Sequence, residues 1–286
     1  MGEVVGLLPI LGSKNQGMLP TDLFVQMQRK QSFLCVGLDS DPQRIPAHLQ
    51  NEPDPVFAFN RAIIEATLPY AVAYKPNLAF YEAQGARGWE TLAKTMELIP
   101  EEVFTIADAK RGDIGNTSRL YARTFFETYD FDAVTVAPYM GEDSVAPFLE
   151  FEDKWAFLLA LTSNPSAQDF QHLPTGDGPL HEQVIRKAEQ WAQRYPGHLG
   201  YVVGATRAES LTRLRELIPS ATLLVPGVGA QGGDLHAVCQ HGQTELGGLL
   251  VNSSRSIIFA GQGENFAAQA ATAAEQLQKQ MAQYFR

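Results

Sequence analysis

The 286 residues, 45% hydrophobic and 19% charged, can bury a substantial core as one large domain or two small ones. A formal net charge of -10 argues against a nucleic-acid-binding surface, although an acidic protein can still carry a local basic pocket for a small anion. No run approaches the roughly 20 apolar residues of a membrane span, and the two distant cysteines, Cys35 and Cys239, give neither a disulfide framework nor a zinc spacing. The expectation is a reducing, cytoplasmic setting and a small-molecule partner, without nucleic acid or membrane.

The opening run "MGEVVGLLPILGSKNQG" has an apolar centre but carries Glu3 and no basic residue ahead of that centre, unlike a signal peptide. Residues 1–17 are expected to form a flexible leader, with "MLPTDLF" from Met18 as a natural beginning. Eight short apolar or β-branched runs follow in order: "FLCVGL" (33–38), "YAVAYK" (70–75), "VFTIAD" (103–108), "AVTVAP" (133–138), "AFLLAL" (156–161), "GYVVGA" (200–205), "ATLLVP" (221–226) and "GLLVNS" (248–253). Their near-continuous hydrophobicity suits strands buried on both faces, as in a parallel sheet. Between them, "FAFNRAIIEATL", "GWETLAKTMELI", "TSRLYARTFFETY", "LHEQVIRKAEQWAQRY" and "AESLTRLRELI" repeat apolar residues at three and four and predict helices.

Eight such units, in a chain near the usual length of about 250 residues, predict an α/β fold, a closed (β/α)8 TIM barrel over residues 18–286. An open doubly wound sheet is the alternative. Two connections, 39–69 and 162–182, exceed what a minimal unit needs and are rich in Pro, Gly, Asn and Asp. Both follow a strand, so in a barrel they lie over the C-terminal mouth as lid candidates.

Polar residues collect at the strand ends. Asp39 follows the first run, Lys75 ends the second, Asp108 and Lys110 end the third, Ser163 follows the fifth and Arg255 follows the eighth. Asp108 and Lys110 are two apart, so on extended backbone they share a face. A single charge at a strand end is usually only solvated. Lys75, Asp108, Lys110 and Asp113 alternate in sign, however, and burying them together costs desolvation, which points to a pre-arranged catalytic field. Further on, "LLVPGVGAQGGD" (223–234) and "LLVNSSRSI" (249–257) offer backbone amides and Arg255 for a phosphate, where barrels commonly hold one. Gly227, Gly229 and Gly232 also satisfy G-x-G-x-x-G, but the next strand closes on Asn252, Ser253 and Ser254 instead of the acid a dinucleotide ribose needs.

With these residues in view, the chain resembles the orotidine 5'-phosphate decarboxylases, more narrowly their longer-chain branch, over about residues 22–280. "DAKRGDIGNT" looks like the family's D-x-K-x-x-D-I-x-x-T signature, and "GLDSDP", "YKPNLAFYE", "LTSNPSAQD", "PGVGAQGGD" and "VNSSRSI" follow the family's order. The resemblance implies decarboxylation of orotidine 5'-phosphate to uridine 5'-monophosphate and carbon dioxide in pyrimidine biosynthesis, with no metal and no cofactor. It implies that Asp108 stands beside the substrate carboxylate and that Lys110 protonates C6, while Asp39 and Lys75 hold the ribose. Ser163 would read the pyrimidine edge, and Gln231, on the loop of Gly229, would grip the 5'-phosphate with Arg255. Asp113 and Thr117 would reach into a neighbouring subunit, which implies a homodimer.

Such a reaction leaves an anion in the plane of the ring that cannot spread into the π system, so a fixed cation at that carbon is what the transition state requires. Metal-dependent sugar-phosphate barrels, the hexulose-phosphate synthases and keto-gulonate-phosphate decarboxylases, resemble the same D-x-K-x-x-D stretch and are the enzymatic alternative. A nucleotide-binding barrel without chemistry is the non-enzymatic one. Arg111, Gly112 and the segment 40–69 carry no assigned task, and the six histidines and Trp89, Trp155 and Trp191 read as loop, helix and packing residues.

Overall fold

Each of the eight apolar runs becomes a parallel strand: β1 (Leu34–Leu38), β2 (Ala71–Pro76), β3 (Phe104–Arg111), β4 (Ala133–Val136) and β5 (Trp155–Leu161). After a short antiparallel hairpin of β6 (Pro174–Thr175) and β7 (Gly178–Pro179) come β8 (His198–Val203), β9 (Leu223–Pro226) and β10 (Leu249–Ser253). The computed structural model describes residues 17–205, 208–228 and 234–285. Around the barrel the order is β1, β2, β3, β4, β5, β8, β9, β10, and β10 pairs back onto β1 with Leu34 opposite Val251 and Val36 opposite Ser253. The expected closed barrel is therefore the fold, and the open sheet is excluded.

The strands read as continuous apolar runs because both faces are covered: β1, β2 and β4 are buried along their whole length. Inside, Phe104, Trp155 and Phe157 pack as a cluster, with the Phe104 ring edge-on to Trp155 at 5.5 Å and Phe157 stacked on Trp155 at 6.0 Å. Trp155 packs as expected, and its Nε1 donates to Met18 O at 2.7 Å, fastening the segment before the helix Pro20–Lys30 to the barrel. That helix ends with Lys30 Nζ donating to the carbonyls of Leu68 (2.9 Å) and Ala71 (2.6 Å).

Helices Pro55–Thr67, Ala86–Glu97, Leu180–Ala192 and Ala208–Leu217 match four of the predicted stretches. The fifth divides into an α-helix, Gly115–Arg123, and a π-helical turn, Thr124–Thr128. Phe125 and Phe126 are adjacent and both buried, and the wider turn lets both rings face the core. The connection 162–182 holds a 3-10 turn, Pro165–Asp169, and the β6–β7 hairpin. Among the described residues no helix is long and apolar enough to cross a membrane.

Candidate active site

The parallel barrel sends every strand's C-terminal end to one mouth, and three of the four alternating charges meet there. Lys75 Nζ lies 2.6 Å from Asp108 Oδ2, and Lys110 Nζ lies 2.5 Å from Asp108 Oδ1. Asp108 is thus a bridge between two ammonium groups of different exposure: the Lys75 side chain is 5% exposed and Lys110 is 52% exposed. Burial alone would drive Lys75 toward its neutral form, but the carboxylates of Asp108 and Asp39 outweigh it and hold Lys75 above the ordinary lysine value. Burial would likewise raise Asp108, yet Lys75 and Lys110 together hold it well below the usual carboxylate range. Lys75 and Asp108 are therefore both charged at neutral pH.

The local backbone that makes this bridge is irregular. Along β3 and β4, Ala107 stands opposite Val134 and Arg111 opposite Val136, so Asp108, Ala109 and Lys110 face Thr135 alone. Lys110 takes a left-handed conformation, φ 48°, within this bulge. Thr135 Oγ1 accepts from Lys110 N at 2.9 Å and donates to Asp108 Oδ1 at 3.2 Å. Thr135 is a site residue that sequence reasoning passed over; its signal was a hydroxyl near the end of the otherwise apolar run "AVTVAP".

Asp39, Lys75 and Asp108 line one wall of a cavity of about 130 Å³, and Pro226, Gly227, Val228, Asn252, Ser253, Ser254 and Arg255 line the other. Asp39 lines the cavity, and its Oδ1 is buried with no hydrogen-bond partner among the described residues. Gly227 has φ 95°, which favours glycine, and turns the chain off β9 toward the cavity. Gly37 is required by close approach, since a Cβ there would fall 1.9 Å from Ser254 Oγ. Asn252 Nδ2 donates to that same Ser254 Oγ at 3.2 Å, which supports the turn into Arg255. Arg255 is exposed at the rim, and no described residue pairs with it. Gly229 and Gln231 lie outside the described residues.

Beneath the cluster, Cys35 Sγ sits 3.7 Å from Asn252 Oδ1. Burial, opposed by Lys75 and reinforced by Asp108 and Asp39, pushes its thiol up to about 12, so it remains an unreactive part of the floor.

Ser163 follows β5 on the loop that Gln171 fastens: Gln171 Nε2 donates to Thr162 Oγ1, and its Oε1 accepts from Thr162 N, both at 2.8 Å. Asp113 and Thr117 do not join the charge bridge of their own chain. The Asp113 carboxylate accepts from Ile114 N at 2.7 Å, and Thr117 is exposed on the helix that follows. Ile114, Tyr139, Met140 and Phe170, on the loops after β3, β4 and β5, and Tyr121, on the helix Gly115–Arg123, are exposed, with Tyr139 87% exposed and its ring 6.1 Å from that of Phe170.

The profile of the Orotidine 5'-phosphate decarboxylase / HUMPS family matches residues 32–270. Orotidine 5'-phosphate decarboxylase of Christiangramia forsetii is 58% identical over 268 residues, spanning 93% of this chain and 98% of the relative. The enzyme of the same name from Bacteroides fragilis is 55% identical over 268 residues, 92% of this chain and 97% of its own. Among solved structures, Leishmania donovani OMP decarboxylase superposes with a TM-score of 0.76 at 35% identity, covering 92% of this chain and 99% of that one.

Proposed function

Because the chain belongs to the Orotidine 5'-phosphate decarboxylase / HUMPS family, we propose that it decarboxylates orotidine 5'-phosphate to uridine 5'-monophosphate, a step of pyrimidine biosynthesis. The observation that carries this reading is the Lys75–Asp108–Lys110 bridge, built on the D-x-K-x-x-D stretch and opening into a cavity with Arg255, unpaired among the described residues, at its rim. The bond from C6 to the carboxylate breaks, its electron pair stays on C6, and carbon dioxide leaves. The Lys110 ammonium stabilises that pair at close range and then gives C6 a proton. Its half-exposed side chain can recover the proton from solvent.

Asp108 holds the lysines on either side of one carboxylate and stands beside the substrate's carboxylate, which is relieved of that contact as carbon dioxide departs. Asp39 Oδ1, buried and unpartnered, takes a ribose hydroxyl together with Lys75. Arg255, with Gly229 and Gln231, takes the 5'-phosphate, and Ser163 reads the pyrimidine edge. Binding energy from that remote phosphate orients the reacting ring. The route asks for no metal and no cofactor.

The working unit in this reading is a homodimer. Asp113 and Thr117 take no part in the charge bridge of their own chain, and the exposed apolar side chains of Ile114, Tyr139, Met140 and Phe170 stand on the loops after β3, β4 and β5. Pairing that face with its copy covers the apolar surface and carries Asp113 and Thr117 to the partner's cavity. A cytoplasmic setting suits the two buried, free thiols.

The test is the loss of orotidine 5'-phosphate absorbance on adding purified protein in excess EDTA. Rapid loss with uridine 5'-monophosphate formed is the expected result. No loss by folded protein refutes the reading, and turnover of a sugar phosphate that EDTA stops replaces it with the metal-dependent alternative.

A further inference from the structure

Arg111 follows the bulge that carries Lys110, and it is more heavily tied than a side chain at a barrel mouth needs to be. Its Nη1 donates to Ala109 O at 2.9 Å, reaching back across the left-handed Lys110. Its Nη2 pairs with Glu82 Oε1, at the end of the short helix Leu78–Glu82 that follows β2. The guanidinium lies over the rings of Tyr121 (5.3 Å) and Phe125 (5.6 Å), and the Arg111 carbonyl accepts from Ala137 N at 2.7 Å. The same guanidinium therefore ties the residue before Lys110 to the short helix that follows the Lys75 strand and to the helix after β3.

A left-handed backbone at a non-glycine residue persists only where its surroundings over-determine it. Here Thr135 Oγ1 holds the Lys110 amide from one side, and Arg111 holds the flanking carbonyl from the other. The result of that conformation is the placement of Lys110 Nζ on Asp108.

We propose that Arg111 is a positioning residue, which braces the β3 bulge so that the Lys110 ammonium is aimed at the reacting carbon. The proposal rests on the decarboxylase reading above. A fork is needed for this work: a lysine reaches either Ala109 O or Glu82 but not both, and an apolar side chain reaches neither.

The experiment is steady-state kinetics on orotidine 5'-phosphate for wild type, Arg111→Met, Arg111→Lys and Glu82→Gln, with uridine 5'-monophosphate affinity and melting temperature measured alongside. Wild-type turnover is measured first; its absence withdraws the decarboxylase reading and this proposal with it, before any variant is compared. With wild type active, Arg111→Met is expected to lower kcat about 30-fold or more, because a small misplacement of a catalytic group is enough. KM and product affinity stay within about threefold, and Arg111→Lys recovers part of the kcat. Three results overturn the proposal: kcat within twofold of wild type in Arg111→Met, a rise in KM at unchanged kcat, or a kcat loss that vanishes well below the melting temperature. If Arg111→Met does not fold, Glu82→Gln decides: it keeps the contacts to Ala109 and the aromatic rings, and a kcat reduction of about fivefold at unchanged KM supports the brace. Unchanged kcat in Glu82→Gln removes it.

Discussion

Two aspartates, Asp132 fully buried and Asp108 partly so, sit at opposite ends of the same pair of strands, and they are bonded in opposite ways. Asp132, at the foot of β4, is fully buried; its Oδ2 accepts from Thr105 N and Thr105 Oγ1, both at 2.8 Å, and its amide donates to Thr105 Oγ1 at 3.0 Å. Asp108, at the head of β3, is held by two ammonium groups on long side chains. Fixed donors stitch β3 to β4 and have nothing to lend. Cations at the mouth can pair with an anion and, in the proposed reaction, deliver a proton. Burial of a carboxylate is therefore no mark of chemistry in this barrel; in the proposed reading, the charge of what it touches is.

The contrast is most easily broken through Lys110. Lys110→Ala is expected to abolish measurable decarboxylation, a loss of at least about 100- to 10,000-fold, while uridine 5'-monophosphate still binds and the melting temperature barely moves. Near-normal turnover in that variant would remove the lysine from the mechanism. Next in size is a sharpening of where the mouth ends. Asp108→Asn and Asp113→Asn should each be inactive, yet mixed after subunit exchange they should return about a quarter of wild-type activity, since half of the dimers are mixed and each keeps one intact site. No recovery despite verified exchange would confine the site to one chain.

At the foot the expectation reverses. Asp132→Asn should cost about 2–3 kcal/mol in denaturant unfolding, from lost charge-assisted hydrogen bonds, and leave kcat within twofold. A larger fall in kcat than in stability would erase the distinction between the two ends. The smallest effect is in pH. Asp108 is lowered in the folded state, so its stabilisation is full above the ordinary value of 3.8 and is lost as pH falls below that, through the lower folded value. Lys75 is raised, so its share is full below 10.5 and is lost only as pH rises through the higher folded value. The stability gap between wild type and Asp108→Asn, measured by urea unfolding, should be flat across neutral pH and narrow below about pH 4. A gap that widens there contradicts the pairing.

The barrel was readable because its strands are buried on both faces: runs such as "FLCVGL" and "AFLLAL" have no polar stripe to confuse with a helix. The meeting of Lys75 and Asp108 was readable because strand ends converge in a parallel barrel, whereas Lys110 reaches Asp108 from a left-handed residue and not by the alternation of an extended strand. The bulge was not. That three residues of β3 face only Thr135 is a fact of pairing between distant segments, and nothing in "DAKRG" alone predicts a left-handed lysine. Arg111 escaped for the same reason, since its partners Glu82, Tyr121 and Phe125 come from three separate elements. The π-helical turn was hidden by an ordinary helical spacing, and only the burial of both Phe125 and Phe126 reveals it.

The hydrogen bonds between β1 and β10 have a further consequence for how the molecule comes into being. Leu34 and Val251 are neighbours across the seam, and Ser32 Oγ donating to Met281 Sδ and Gln278 Nε2 donating to Lys30 O tie the flanking segments together as well. On a ribosome, Asp39, Lys75, Asp108 and Lys110 emerge long before the strand that seals their cavity, and closing so long a loop is slow. Until then β1 presents an unpaired edge with a charged cluster beside it. A nascent chain stalled before residue 249 should therefore bind chaperones and no nucleotide, and nucleotide binding should begin only when β10 has cleared the exit tunnel and joined β1.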